Sequence, residues 1–290
     1  MSGYSDLIAL LKQQQEDRKT LRLLEEKGYA NPQADNFGIN QWTSCLLPRT
    51  RKDDDPQLAA SVQPEHLVSF LSIPVGLPAD CIDTNRKELH DWISGYQWQF
   101  ISSVNSPYPQ ARIRACSEGI LLPKWVETSD QSLIEAFLLI RGDGIFEAGN
   151  GRNVYSIYDE GSVFQFIQIV GLLWQFLVFI KDFYRANIPG KNLDTLIILN
   201  MRGIKEALLG DLAEGWRDPL WPPYDSFRPK CPDKHLQIRR MISMETLENG
   251  IPDVLRWFAT RIDNAWGQFE PRCYVRRDLD ETQPFARKTR

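Results

Sequence analysis

Apolar residues recur along this chain in changing rhythms, and the changes mark its elements. From Ser162 to Ala186 the sequence SVFQFIQIVGLLWQFLVFIKDFYRA is apolar almost throughout. On a helical wheel Gln165, Gln168, Gln175 and Asp182 share one flank, with Lys181 and Arg185 beside it. A lipid-facing helix does not keep such a polar stripe. The spacing therefore predicts a long soluble helix, buried on most sides, that crosses a sheet with one wet edge. Ser162 and Gln165 read as a capping box at its start, and Asn187, Pro189 and Gly190 as its stop.

Shorter apolar runs predict strands. Leu133–Arg141, Ile145–Ala148 and Asn153–Tyr158 are separated by Gly142-Asp143-Gly144 and Gly149-Asn150-Gly151, turn sequences that supply positive φ. This reads as a three-stranded meander whose glycines serve hairpins, because a phosphate loop needs a strand before it and a helix after it. His66–Val75, Ala111–Leu122, Leu193–Met201 and His235–Ser243 are further strands. Thr84–Tyr96 is helical, with Leu89, Trp92, Ile93 and Tyr96 on one face. Pro252 opens a last helix to Trp266, with Val254, Leu255, Phe258, Ile262 and Ala265 on its apolar face and Gly267 closing it. Strand runs mixed with helices, without regular βαβ alternation, give an α+β class: an antiparallel or mixed sheet with a long buried helix and a second, C-terminal helix packed on it.

The flanks read differently. Residues 1–29 form an N-terminal helical arm, capped by Ser5 and polar all round from Gln13 to Lys19. Its apolar ends are expected either to fold back on the arm's own domain or to pair with a partner protein or a second copy of the chain. Residues 30–65 are loop or linker, residues 66–275 the α+β domain, and residues 276–290 a charged tail.

Composition narrows the class without naming an activity. The 290 residues are 42% hydrophobic and 25% charged, as in soluble globular proteins. A net charge of -4 argues against a surface built mainly for nucleic acid. Arg239-Arg240 on a strand, Arg276-Arg277, and Arg287, Lys288 and Arg290 read as solvated faces. Cys45, Cys81, Cys116, Cys231 and Cys273 show no disulfide-like spacing, which fits a reducing cytoplasm. The N-terminus lacks the pattern of a signal peptide, and no membrane span is expected.

Candidate chemistry is sparse. Cys231-x3-His235 is half a zinc site, and His66 and His90 are too distant to complete it. There is no nucleophile elbow, and no cysteine sits in a glycine-rich turn at a helix start. No catalytic residue, metal ligand or cofactor site is assigned. Residues 207–233 have the composition of a binding surface: Trp216, Trp221, Tyr224 and Phe227 among Arg217, Arg228 and Lys230, stiffened by prolines. Aromatics interleaved with cations stack bases or grip anions. Trp216, Arg217, Trp221, Tyr224, Phe227 and Arg228 are the candidate ligand- or partner-binding residues.

The motifs LLIRGDGIFEAG, LLWQFLVFIKDFY, LDTLIILNMRGI and LRWFATRIDNAWG give residues 133–274 a resemblance to a region of some bacterial Schlafen/AlbA-type regulators, the one that follows their DNA-binding module. No counterpart of that module stands before it, so no functional residue carries over. The resemblance implies a regulatory, sensing or assembly role. The expected function is a non-enzymatic cytoplasmic sensor or protein-interaction module, accessory to a nucleic-acid-linked regulatory or defence system. An enzyme whose site leaves no local signature, and a direct nucleic-acid binder, are the alternatives.

Overall fold

The fold is that of a computed structural model. It describes residues 67–78, 80–97, 113–116, 119–127, 132–150, 154–158, 161–188, 193–210, 230–267, 273–275 and 285–287, together with Lys19 and Arg22. Those two positions are helical and exposed, and the rest of the expected N-terminal arm lies outside the described residues, as does the 30–65 linker.

The run LVSFLSIP forms β1 (Leu67–Pro74), buried at every position. A strand apolar on both faces belongs in the middle of a sheet. β1 accordingly lies between β5 (Phe146–Asn150) and β8 (Asp194–Arg202). The other strands of that sheet are β2 (Arg114–Cys116), β3 (Gly119–Glu127), β4 (Ser132–Arg141) and β10 (His235–Ser243). Their order is β10-β8-β1-β5-β4-β3-β2, seven strands with every neighbouring pair antiparallel. The fold is α+β, with helices packed on an antiparallel sheet.

The predicted meander is corrected in its last strand. β6 (Tyr155–Tyr158) leaves the main sheet and pairs with β7 (Gly161–Gln165), which pairs in parallel with β9 (Leu208–Gly210). The place beside β5 is already taken by β1, in register from Val68↔Asn150 to Ser72↔Phe146. The predicted strand 111–122 is likewise a hairpin, β2 turning into β3. Residues 276–290, expected as a tail, include β12 (Phe285–Arg287), which pairs with β11 (Cys273–Val275).

The β4–β5 loop, Gly142 to Ile145, is held by its own side chains. Arg141 grips Asp143 through Nε at 3.2 Å and Nη2 at 3.1 Å, and Asp143 Oδ1 accepts from the Ile145 amide at 3.3 Å. Gly144 has φ +80°, and a Cβ there would stand 2.9 Å from Leu77 Cδ1.

The long helix is α2 (Phe166–Asn187), and α1 (Lys87–Gly95) precedes it in the chain. The predicted start at Ser162 is a further correction. The Gln165 amide donates to the Val154 carbonyl at 2.9 Å, and residues 161–165 spend their backbone groups on strand pairing. The wet edge is corrected too. Gln168 and Gln175 are buried among the apolar residues, and Asp182 is half-buried. Helices α3 (Met244–Asn249) and α4 (Ile251–Ala265) pack on α2 and against the edge strand β10. Trp92 and Tyr96 cover its C-terminal half, Trp92 standing edge-on to Phe183 at 5.4 Å and Tyr96 to Phe179 at 5.1 Å. Only Lys181, Asp182 and Arg185–Ile188 reach solvent at that end.

The core is the seam between α2 and the sheet. Phe176 meets Phe70 at 5.7 Å, and Phe183 meets Phe146 at 4.7 Å. Each such ring, fully buried, contributes about 1.5–3 kcal/mol by removal from water. On the opposite sheet face Leu71, Ile73, Ile145, Leu196 and Ile198 form a second buried cluster. Among the described residues no helix is long and apolar enough to cross a membrane.

Two outcomes test this core. Trp174→Ala or Leu177→Ala is expected to lower unfolding free energy by about 2–5 kcal/mol in chemical denaturation. Gly144→Val is expected to lower the thermal transition as well, since a β-branched residue resists positive φ. A Gly144→Val protein as stable as wild type would contradict the loop geometry.

Candidate functional groove

Alternation along β10 separates the two arginines that sequence places side by side. Arg239 is in register with Ile198, on the face of the second cluster. Arg240 is in register with Ile197, on the helix-covered face, between the buried side chains of Ile238 and Ile242. The pair Arg239-Arg240 is therefore not one basic patch.

Arg240 instead joins the outer flank of α4. That helix begins with Pro252 in its first turn and buries Ile251, Val254, Leu255, Phe258, Ala259 and Ile262. The opposite flank carries Asp253, Arg256, Trp257, Thr260, Arg261 and Asn264. With Arg240 these residues line an open groove of about 510 Å³ between the edge strand and the helix. Both Arg240 Cζ and Arg261 Cζ lie 5.2 Å from the centroid of the Trp257 ring. Such contacts contribute about 0.5–1 kcal/mol each at exposed sites and hold the guanidinium planes in place. Trp257 is itself braced edge-on by Phe258, with centroids 5.1 Å apart. Thr260 donates to the Arg256 carbonyl at 2.9 Å.

The electrostatics of the groove oppose those of the whole chain. Among the described residues that line it, three arginines stand with one carboxylate, that of Asp253, in a protein of net charge -4. Burial pushes the Arg240 guanidinium below its usual pKa, and the nearby Asp253 carboxylate pulls it back up. A partly dehydrated guanidinium gains more from an incoming anion than a fully solvated one. Arginine forks match carboxylate and phosphate oxygens in pairs. The arrangement can bind and orient an anion.

Other polar groups have structural work. Tyr184 is buried at the seam, where its hydroxyl donates to the Gly144 carbonyl at 3.1 Å and meets the Ser72 hydroxyl at 3.2 Å. Burial pushes its phenol well above 10.0, outweighing the hydrogen bond with Ser72 that lowers it. The Tyr96 phenol is also raised, first by burial and then by Asp182, which accepts its hydrogen bond at 2.9 Å. Cys231 is buried, its thiol pushed up mainly by burial, while His235 is exposed. Among the described residues no cluster of His, Cys, Asp and Glu could hold a metal ion.

The candidates Trp216, Arg217, Trp221, Tyr224, Phe227 and Arg228 lie outside the described residues. The two ends of their segment do meet. The Glu206 amide donates to the Cys231 carbonyl at 2.9 Å, and the Cys231 amide to the Ala207 carbonyl at 3.2 Å. The Ala207 carbonyl also accepts from the indole of buried Trp266 at 2.8 Å. Sequence reasoning passed over Arg256, Trp257 and Arg261, because it followed only the apolar face of α4. The available signal was a tryptophan on the polar flank, with arginines one residue before it and four after.

Comparison with protein-family models, with curated protein sequences and with solved structures returned no match.

Tyr184 makes stability depend on alkaline pH. Its pKa is higher folded than unfolded, so the neutral phenol's contribution is complete below about 10. It is lost as pH climbs from there toward the folded value. Tyr184→Phe is expected to cost about 1–3 kcal/mol at neutral pH and to flatten the decline above pH ~10 in denaturant titrations. An unchanged alkaline decline in that variant would assign the effect elsewhere.

Proposed function

We propose that the protein is a non-enzymatic cytoplasmic sensor or interaction module, and that it works by capturing an anionic group in the groove between β10 and α4. The observation that carries this reading is the engagement of Arg240 and Arg261 with the one indole of Trp257. Two cations from different elements are thereby positioned on one ring before any ligand arrives, which lowers the ordering cost of binding. The lining supports binding rather than bond-breaking. Arginine, tryptophan, threonine and asparagine position charge, and Asp253 is set against Arg240.

A direct nucleic-acid binder is the weaker reading. A continuous polyanion would meet the negative charge of the rest of the chain beyond the groove. The resemblance of residues 133–274 to the region after the DNA-binding module of Schlafen/AlbA-type regulators supports a regulatory setting, in which another chain makes the nucleic-acid contacts.

Isothermal titration calorimetry with inorganic triphosphate tests the capture of anions. Binding is expected to weaken with added salt. Arg261→Ala, an exposed change, should weaken it about tenfold, as loss of a charge-assisted contact does, with the thermal transition nearly unmoved. Equal affinity of wild type and of both Arg240→Ala and Arg261→Ala would remove the groove from the function.

A further inference from the structure

We infer that the anion taken by this groove is a nucleotide, a compact phosphate ester that carries an aromatic base. The inference rests on the anion-binding reading above and adds the chemical class of the ligand. Three features of the groove point to it.

The first is size. At about 510 Å³ the groove falls among sites for compact ligands.

The second is the distribution of charge along α4. Asp253 faces Arg240, and the two offset each other. Arg256, within a turn of Asp253, and Arg261, toward the Asn264 end, add two further positive charges. Asp253 and Arg261 are separated by about 12 Å along the helix axis, at 1.5 Å per residue. A ligand that satisfies both needs phosphate oxygens at one end and hydrogen-bond donors at the other. The hydroxyls of a sugar or an exocyclic amine of a base supply those donors. A purely anionic ligand gains nothing from the Asp253 end.

The third is Trp257. In the free protein its ring holds Arg261, whose side chain is exposed. A base stacked on an indole is worth more than an exposed cation–π contact. An arriving base therefore displaces Arg261 from the ring, and the released guanidinium is left beside the phosphates. One exchange serves both ends of the ligand. An acidic peptide offers carboxylates for the arginines but nothing to replace Arg261 on the indole.

The test uses the full chain and calorimetry with three probes: ATP, inorganic triphosphate and an oligoglutamate peptide. ATP is expected to bind at least about tenfold more tightly than inorganic triphosphate, a difference of about 1.4 kcal/mol. Trp257→Ala should erase that advantage, weakening ATP more than triphosphate, which loses only the ring that positions the arginines, and Trp257→Phe, which keeps a ring, should retain part of it. Arg261→Ala should weaken ATP and triphosphate alike. The thermal transition of each variant reports whether it has folded, and the comparison among probes on wild type needs no variant. ATP and triphosphate bound equally would overturn the nucleotide inference and leave anion capture standing. Oligoglutamate bound more tightly than ATP would overturn it in favour of an acidic protein partner. No binding of any of the three would overturn both readings.

Discussion

Enclosing α2 is the constraint on which the rest of the structure depends. A helix apolar on nearly every side cannot lie on a sheet and face water with its back. Residues 168–180 are all buried, so one layer of strands is not enough to cover them. The antiparallel sheet takes one side, α3 and α4 another, and α1 lays Trp92 and Tyr96 over the C-terminal half. The central place of β1 follows from the same demand. The strands facing α2 along its length bring Phe70 and Phe146 against Phe176, Phe179 and Phe183.

Apolar packing of this kind is not directional, and the polar groups at the seam supply the direction. The Tyr184 hydroxyl reaches both β1, at Ser72, and the β4–β5 loop, at Gly144. Sliding the helix by one turn would leave these buried polar groups without partners, at about 1–3 kcal/mol each. Tyr96 to Asp182 ties α1 to α2, and Arg86 to Asn187 does the same at the helix end, at 3.1 Å. On the far sheet face Gln237, Asn200 and Ser69 run across three strands and fix their register.

Elements were legible in the sequence where one local pattern decided them. β10 is found at the predicted residues, and β1, β8, α1 and α4 within a few, because alternation or a 3.6-residue period with a clear stop marks each. Pairing was not legible. Nothing in Asn153–Tyr158 announces that β1, from far earlier in the chain, already occupies the edge of β5. The capping box failed for a similar reason, since strand pairing claims residues 161–165. The glutamine stripe was a true feature of α2, but burial depends on what neighbours bring. The groove was invisible because it joins Arg240 of a strand to residues of a helix that follows only after α3 and the turn at Gly250. Composition alone favoured the 207–233 segment, because aromatic and cationic residues are counted there without regard to which elements carry them.

The same helix that closes the core also presents the groove, and this ties the two together. On α4 the side chains of Val254, Leu255, Phe258 and Ile262 are locked inward. At 100° per residue the intervening positions Arg256, Trp257, Thr260 and Arg261 are thereby turned to the outer flank, where they line the groove. Arg240 is fixed from the other side, since Ile238 and Ile242 are anchored in the core on the same strand face. Side chains mounted on a packed helix and a paired strand keep their spacing better than side chains on a loop. The spacing of Arg240 and Arg261 about Trp257 is thus set by the contents of the core. Anything bound across the groove bridges β10 and α4, and so bears on the two elements that enclose α2 at this edge of the sheet.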